Sequence, residues 1–212
     1  MDEKNWWLTA VVEIVLLALA VSLLLGRPHH EAAAPVELDD LQVIYKSINS
    51  PRDIEPLQGP TIPPIAYTCV ISFTNLDLPE KKRKFFDMLL PAVLISKHKL
   101  SRLRQRIHDC ITREEQSEAE QQWLDKQMEL FEADDYQQLL RRTKSHPVSI
   151  VLAQAALESG WGESRFFEQA NNVFGIWSFD PQEPRVKAGA NRLGKEIYVK
   201  KYRSLIESVD DY

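Results

Sequence analysis

The stretch from Ser145 to Phe179, SHPVSIVLAQAALESGWGESRFFEQANNVFGIWSF, constrains the chain more than any other. Pro147 suits the first turn of a helix, where its missing N–H costs nothing. From Val148 to Leu157 every residue is apolar or small except Ser149 and Gln154. That pattern predicts a helix buried on nearly every side. Gly160 marks its end. Glu158 falls in the last turn, where the negative end of the helix dipole repels a carboxylate. Trp161, Phe166, Phe167, Phe174 and Trp177 follow closely and can wall it in. An acid in an apolar, aromatic pocket has its pKa raised and holds a proton at neutral pH. General acids that cleave glycosidic bonds need that property. A glutamate at a helix end is more commonly a solvated surface residue. The apolar helix before Glu158 and the Gly-Trp-Gly turn after it favour the catalytic reading.

LAQAALESGWGESRF followed by NNVFGIW resembles the signature of the bacterial glucosaminidase-domain family, with both halves in order. The likeness is nearest to the Bax-type branch. LPEKKRKFFDMLLPAVLISKHKLSRLRQRI is similar to that branch's helical preamble, and YVKKYRSLIESVDDY to the family segment after its hairpin. The resemblance implies a mostly helical α+β fold, with a lysozyme-like catalytic domain that includes a β-hairpin. It implies an endo-β-N-acetylglucosaminidase acting on peptidoglycan glycan strands, with Glu158 as general acid. The alternatives are a lytic transglycosylase using the same acid, and a non-catalytic wall-binding scaffold. The family often supplies a second carboxylate from the hairpin region; Glu183 is the first candidate and Glu196 the second. Glu163 and Glu168 read as surface-turn residues. The family's helix after the hairpin continues beyond the length present here. The chain is therefore expected to stop short of the domain's end, with Tyr212 matching a helix-packing aromatic.

Substrate contacts are expected from Trp161, Asn172, Phe174 and Trp177. Trp161, between two glycines, also suits packing beside the acid, and Asn171 and Asn172 also suit loop-fixing hydrogen bonds. Ser159 has no histidine base in a fitting context, so it is not a nucleophile. His29, His30, His98, His108 and His146 lack metal-ligand spacing, so no metal and no cofactor are expected. The net charge of −5 argues against nucleic-acid binding. Cys69 and Cys110 are far apart in sequence, and two unpaired thiols are the simpler reading.

Four regions follow. Residues 1–27 read as a membrane anchor: Trp6 to Leu25 is apolar except for Thr9, Glu13 and Ser22. Twenty helical residues rise about 30 Å, the thickness of a hydrocarbon core. MDEKN is not a basic leader, and Pro35 after Ala32-Ala33-Ala34 disfavours cleavage. With the family's substrate, this predicts a single-pass inner-membrane protein whose catalytic domain is periplasmic. Residues 28–64, with seven prolines, read as linker. Within it, Leu41 to Ile48 suits a strand or a helical turn. Residues 65–144 read as a helical region after a short strand at Ala66 to Phe73. Asp77, Pro79 and Glu80 open the first helix, and Pro91 predicts a kink or break in it. The run Lys81 to Lys84 reads as a solvated face. Thr112 with Glu115 opens a second helix running to Glu132, and Asp134 or Asp135 a third. Residues 145–212 read as the catalytic domain, with a hairpin formed by Arg185 to Lys187 and Glu196 to Tyr202.

Overall fold

The structure, a computed structural model, describes residues 41–192 and 195–212. The expected anchor at Trp6 to Leu25 lies outside them. Among the described residues, no helix is long and apolar enough to cross a membrane.

One helix organises the rest. α1 (Leu78–Ile111) runs for 34 residues, or about 51 Å at ~1.5 Å per residue. Asp77 caps it by accepting from the Glu80 N–H at 2.8 Å, and Pro79 fills the first turn. Pro91 does not break it, contrary to the sequence expectation. Proline in a helix interior costs ~3 kcal/mol. Phe85, Met88, Leu89, Ala92, Val93 and Ile95 around it are buried in the main core, and their burial at ~1.5–3 kcal/mol each outweighs that cost.

The two ends of α1 serve different cores. Its C-terminal half carries Leu103, Ile107 and Cys110 into a satellite cluster with Leu124 and Leu139. Leu124 belongs to α2 (Glu118–Leu130) and Leu139 to α3 (Tyr136–Arg142). The start of α2 differs from expectation. Thr112 closes α1, its hydroxyl donating to the His108 carbonyl at 2.9 Å. Ser117 and Glu120 form the capping box that opens α2. Asp135 caps α3 as expected.

The N-terminal half of α1 packs into the main core. There it meets β1 (Ile44–Ser47) and β2 (Ile65–Cys69), a parallel pair in which Ile44 stands opposite Ile65. Parallel strands need a crossover of a dozen or more residues, and residues 48–64 supply it. This proline-rich stretch reads as spacer in the sequence, but its described part folds onto α1. Ile48 and Ile54 are buried, and a 3₁₀ turn at Pro51–Asp53 is capped by Ser50. The Leu57 N–H donates to Asp87 Oδ1 at 3.2 Å, and Lys84 Nζ to the Ile54 carbonyl at 3.0 Å. The Lys81–Lys84 run is likewise no simple solvated face: Lys81 is buried, and only Arg83 of the four is exposed.

α4 (Val148–Ser159), the short α5 (Arg165–Ala170) and α6 (Leu205–Asp211) complete the main core. A second sheet has the order β3 (Trp177–Ser178), β5 (Lys195–Lys200), β4 (Arg185–Arg192), all antiparallel. The first hairpin strand is longer than expected, the second ends at Lys200 and not at Tyr202, and Gly189 and Ala190 lie within β4, not at the turn. Cys69 and Cys110 are both free, the first exposed and the second buried.

Candidate active site

α4 ends as the sequence requires. Gly160 takes a left-handed conformation, φ 58°, and closes the helix with its N–H on the Ala156 and Leu157 carbonyls. The helix is not buried on nearly every side. Val151, Ala155, Ala156 and Ser159 face inward, while Ile150 is 49% and Leu157 79% exposed. Seven residues apart, those two lie on one face.

Glu158 stands on the outer side with Leu157, and it is exposed. The apolar pocket expected around it is absent, because the aromatic residues turn elsewhere. Phe167 is buried in the core, in contact with Phe73 and Phe85. Phe174 is buried beneath Tyr212, whose ring stacks on it. The Tyr212 phenol has its pKa raised, by burial first and then by the negative charge of Glu158. Glu158 and Tyr212 are therefore electrostatic neighbours. No sequence motif marks Tyr212 for that position.

Trp161 does not offer an open face to a sugar. Its ring is met edge-on by Phe85 and Phe86, each with centroids 5.7 Å away, and Lys82 Nζ stands 5.0 Å from its centroid. Packing is the role the structure gives it. Its backbone is left-handed, φ 59°, between Gly160 and Gly162 at φ 58° and 85°. A tryptophan in that region is strained by ~1–3 kcal/mol. At Gly162 a Cβ would lie 2.8 Å from Phe73 Cδ2, so only glycine fits.

Asn172 is 1% exposed and fixes the loop before β3. Its Nδ2 donates to the Ile176 and Lys200 carbonyls, both at 2.9 Å, and its Oδ1 accepts from the Ile176 N–H at 3.0 Å. Both Nδ2 hydrogens are thus committed to the loop, the loop-fixing role weighed for Asn172 beside a substrate contact. Asn171, in a left-handed conformation, likewise donates to the Thr68 and Tyr202 carbonyls.

Trp177 is half-buried in β3, opposite Val199. Two residues on, Phe179 is 65% exposed, with its ring centroid 6.2 Å from that of Trp177. Phe179 was missed in the sequence. Alternation along an extended strand, which puts residues two apart on one side, was the available signal.

The two candidate second carboxylates differ sharply. Glu196 is exposed and bound by Lys187, and it accepts from the Tyr198 hydroxyl at 2.7 Å. The Lys187 hydrogen bond, then that of Tyr198, holds its carboxyl below the usual range. Glu183 is half-buried, and its Oε1 is shut from solvent without a hydrogen-bond partner. It lies close enough to Tyr202 to help raise that phenol's pKa, after burial and the hydrogen bond to Asp211. Tyr202 donates to Asp211 Oδ2 at 2.6 Å, and Lys200 Nζ does so at 3.0 Å.

A family model for glucosaminidase, described as mannosyl-glycoprotein endo-beta-N-acetylglucosaminidase, matches residues 133–212. The chain carries a glucosaminidase domain. Over residues 133–212 the chain is similar to glycoside-hydrolase-type enzymes. No curated protein and no solved structure matches the chain. The glucosaminidase match begins at Ala133 and takes in α3 to α6 and the hairpin sheet. β1, β2, α1 and α2 lie outside it. Among the described residues, no group of three or more His, Cys, Asp or Glu side chains is placed to hold a metal ion.

Proposed function

We propose that the protein hydrolyses the β-1,4 bond after N-acetylglucosamine in peptidoglycan, with Glu158 as general acid. The carrying observation is the glucosaminidase match across the segment in which an exposed glutamate ends α4 beside a strained Gly-Trp-Gly turn. Glu158 delivers its proton to the glycosidic oxygen as the sugar ring gains positive charge, and the bond to the anomeric carbon breaks. An exposed carboxyl can reach a polymeric substrate directly.

Glu183 is the better second carboxylate. Its buried, unpartnered oxygen has acceptor capacity to spare, whereas Glu196 is already bound by Lys187 and Tyr198. In the hydrolytic step Glu183 takes a proton from water as the water oxygen bonds to the anomeric carbon. The half-buried Trp177 and the exposed Phe179 form the sugar-stacking platform. The apolar run Trp6 to Leu25 anchors the chain in the inner membrane, with the domain on the periplasmic side.

Product analysis tests this reading. Digestion of purified peptidoglycan should release fragments with a reducing N-acetylglucosamine end and the mass of one added water per cut. Anhydro-sugar ends would assign the chain to transglycosylation instead. Binding without any cleavage would make it a scaffold.

A further inference from the structure

We propose that the first half of α1 is a clamp on the turn that follows Glu158, with Phe86 and Lys82 as positioning residues for the acid. The inference rests on the reading of Glu158 as that acid. Gly160, Trp161 and Gly162 form three consecutive left-handed residues. Glycine takes such angles freely, but a bulky side chain holds them only where its surroundings impose them.

Those surroundings come from outside the matched segment 133–212. Phe85 and Phe86 brace the indole edge-on, and Lys82 stands over its face. Lys81, buried one residue earlier on α1, is ion-paired with Glu163 just after the turn. The Phe73 N–H donates to the Gly162 carbonyl at 3.2 Å, and its ring fills the space beside Gly162.

The turn is also tied back to the helix end that carries Glu158. The Trp161 N–H donates to the Ala156 carbonyl at 2.9 Å. The Ser164 and Glu163 N–H groups both donate to the Ser159 carbonyl, at 2.9 and 3.1 Å. The Ser159 hydroxyl donates to the Ala155 carbonyl at 2.6 Å and accepts from the Gly162 N–H at 3.2 Å. A shift of Trp161 therefore moves the last turn of α4 and the carboxyl on it. Misplacement of a catalytic group by about 1 Å can cost ~10²-fold in rate. α1 thus reaches the chemistry without touching the substrate.

Amide hydrogen exchange on the full chain, paired with steady-state cleavage of peptidoglycan, tests the clamp. Phe86 is 39% exposed, so Phe86→Ala removes one brace and leaves the buried Phe85 in place. Exchange over residues 160–163 should rise about tenfold, as expected for loss of an edge-to-face aromatic pair. The rest of the main core should be unchanged, kcat should fall about tenfold and KM should hold. Phe86→Tyr should restore both readouts. Unchanged exchange in folded Phe86→Ala overturns the clamp, and faster exchange with unchanged kcat overturns the positioning role. Should Phe86→Ala fail to fold, Lys82→Met removes the cation over Trp161 without touching the buried core, and the same two outcomes decide. A wild-type chain that cleaves no glycan would refute the reading of Glu158, while the exchange comparison still decides the clamp.

Discussion

Tyr212 lies flat on Phe174, with ring centroids 4.0 Å apart and planes 12° from parallel. The stack joins the end of α6 to the loop before β3, and it brings a phenol beside Glu158. Tyr212→Phe should preserve stability, because the stack needs no hydroxyl. Tyr212→Ala should lower unfolding free energy by about 0.5–1.5 kcal/mol beyond the apolar area lost. Urea denaturation of the two variants measures the difference. Equal stability would mean that the stack contributes nothing to holding α6.

Asn172→Ala separates a loop-fixing role from a substrate contact. The substitution leaves the Ile176 N–H and the Ile176 and Lys200 carbonyls without their side-chain partner. The Ile176 carbonyl keeps the Lys200 N–H as a donor, but each part-buried group left with no partner costs about 1–3 kcal/mol. A large loss of stability is therefore expected, visible in a denaturant midpoint. An unchanged midpoint with a raised KM would restore the substrate role.

Much of the fold could be read from local chemistry. Asp77, Asp135, Pro147 and Gly160 mark helix ends where caps and stops are expected, because a cap is a matter of a few adjacent residues. What could not be read depends on partners far away in sequence. The prolines of 48–64 suggest a spacer, and only the pairing of Ile44 with Ile65 makes that stretch a crossover. Pro91 suggests a break, and tertiary burial overrides it. The apolar α4 suggests full burial, yet Ile150 and Leu157 stay exposed. At the site, Glu158 could be placed at its helix end from sequence. Its exposure, and the turning of Trp161 toward Phe86, depend on α1 packing across the domain.

The half-buried pair of Tyr202 and Asp211 gives a pH-dependence with a definite sign. The phenol's pKa is raised in the folded protein, by burial and then by its hydrogen bond to Asp211. A raised pKa contributes stability that is fully present below the unfolded value, about 10. That contribution is lost as pH rises above it toward the folded value. Wild type should therefore lose more stability between about pH 8 and 11 than Tyr202→Phe, which has no phenol to ionise. Chemical denaturation at both pH values makes the comparison. Equal losses would show that Tyr202 is not held protonated by the fold.

Substituting the two hairpin-region carboxylates should have unequal effects. Glu183→Gln removes the carboxylate with the unpartnered buried oxygen and should lower kcat by about 10²–10⁴-fold if it is the base. A smaller loss would point to assistance from the substrate's acetamido group. Glu196→Gln breaks the exposed, solvent-screened pairing with Lys187 and should leave the denaturant midpoint nearly unchanged, with kcat within a few-fold of wild type. The reverse order of kcat losses would transfer the role to Glu196.

The decisive measurement is the rate of peptidoglycan cleavage by Glu158→Gln. Glutamine keeps the shape of the side chain and removes its ionisable proton. Glu158 is exposed, so the variant should fold and melt as wild type does. General acid catalysis contributes about 10²–10⁴-fold, and kcat should fall by that order. A folded Glu158→Gln protein that cleaves glycan strands at the wild-type rate would contradict the assignment of Glu158 as the acid.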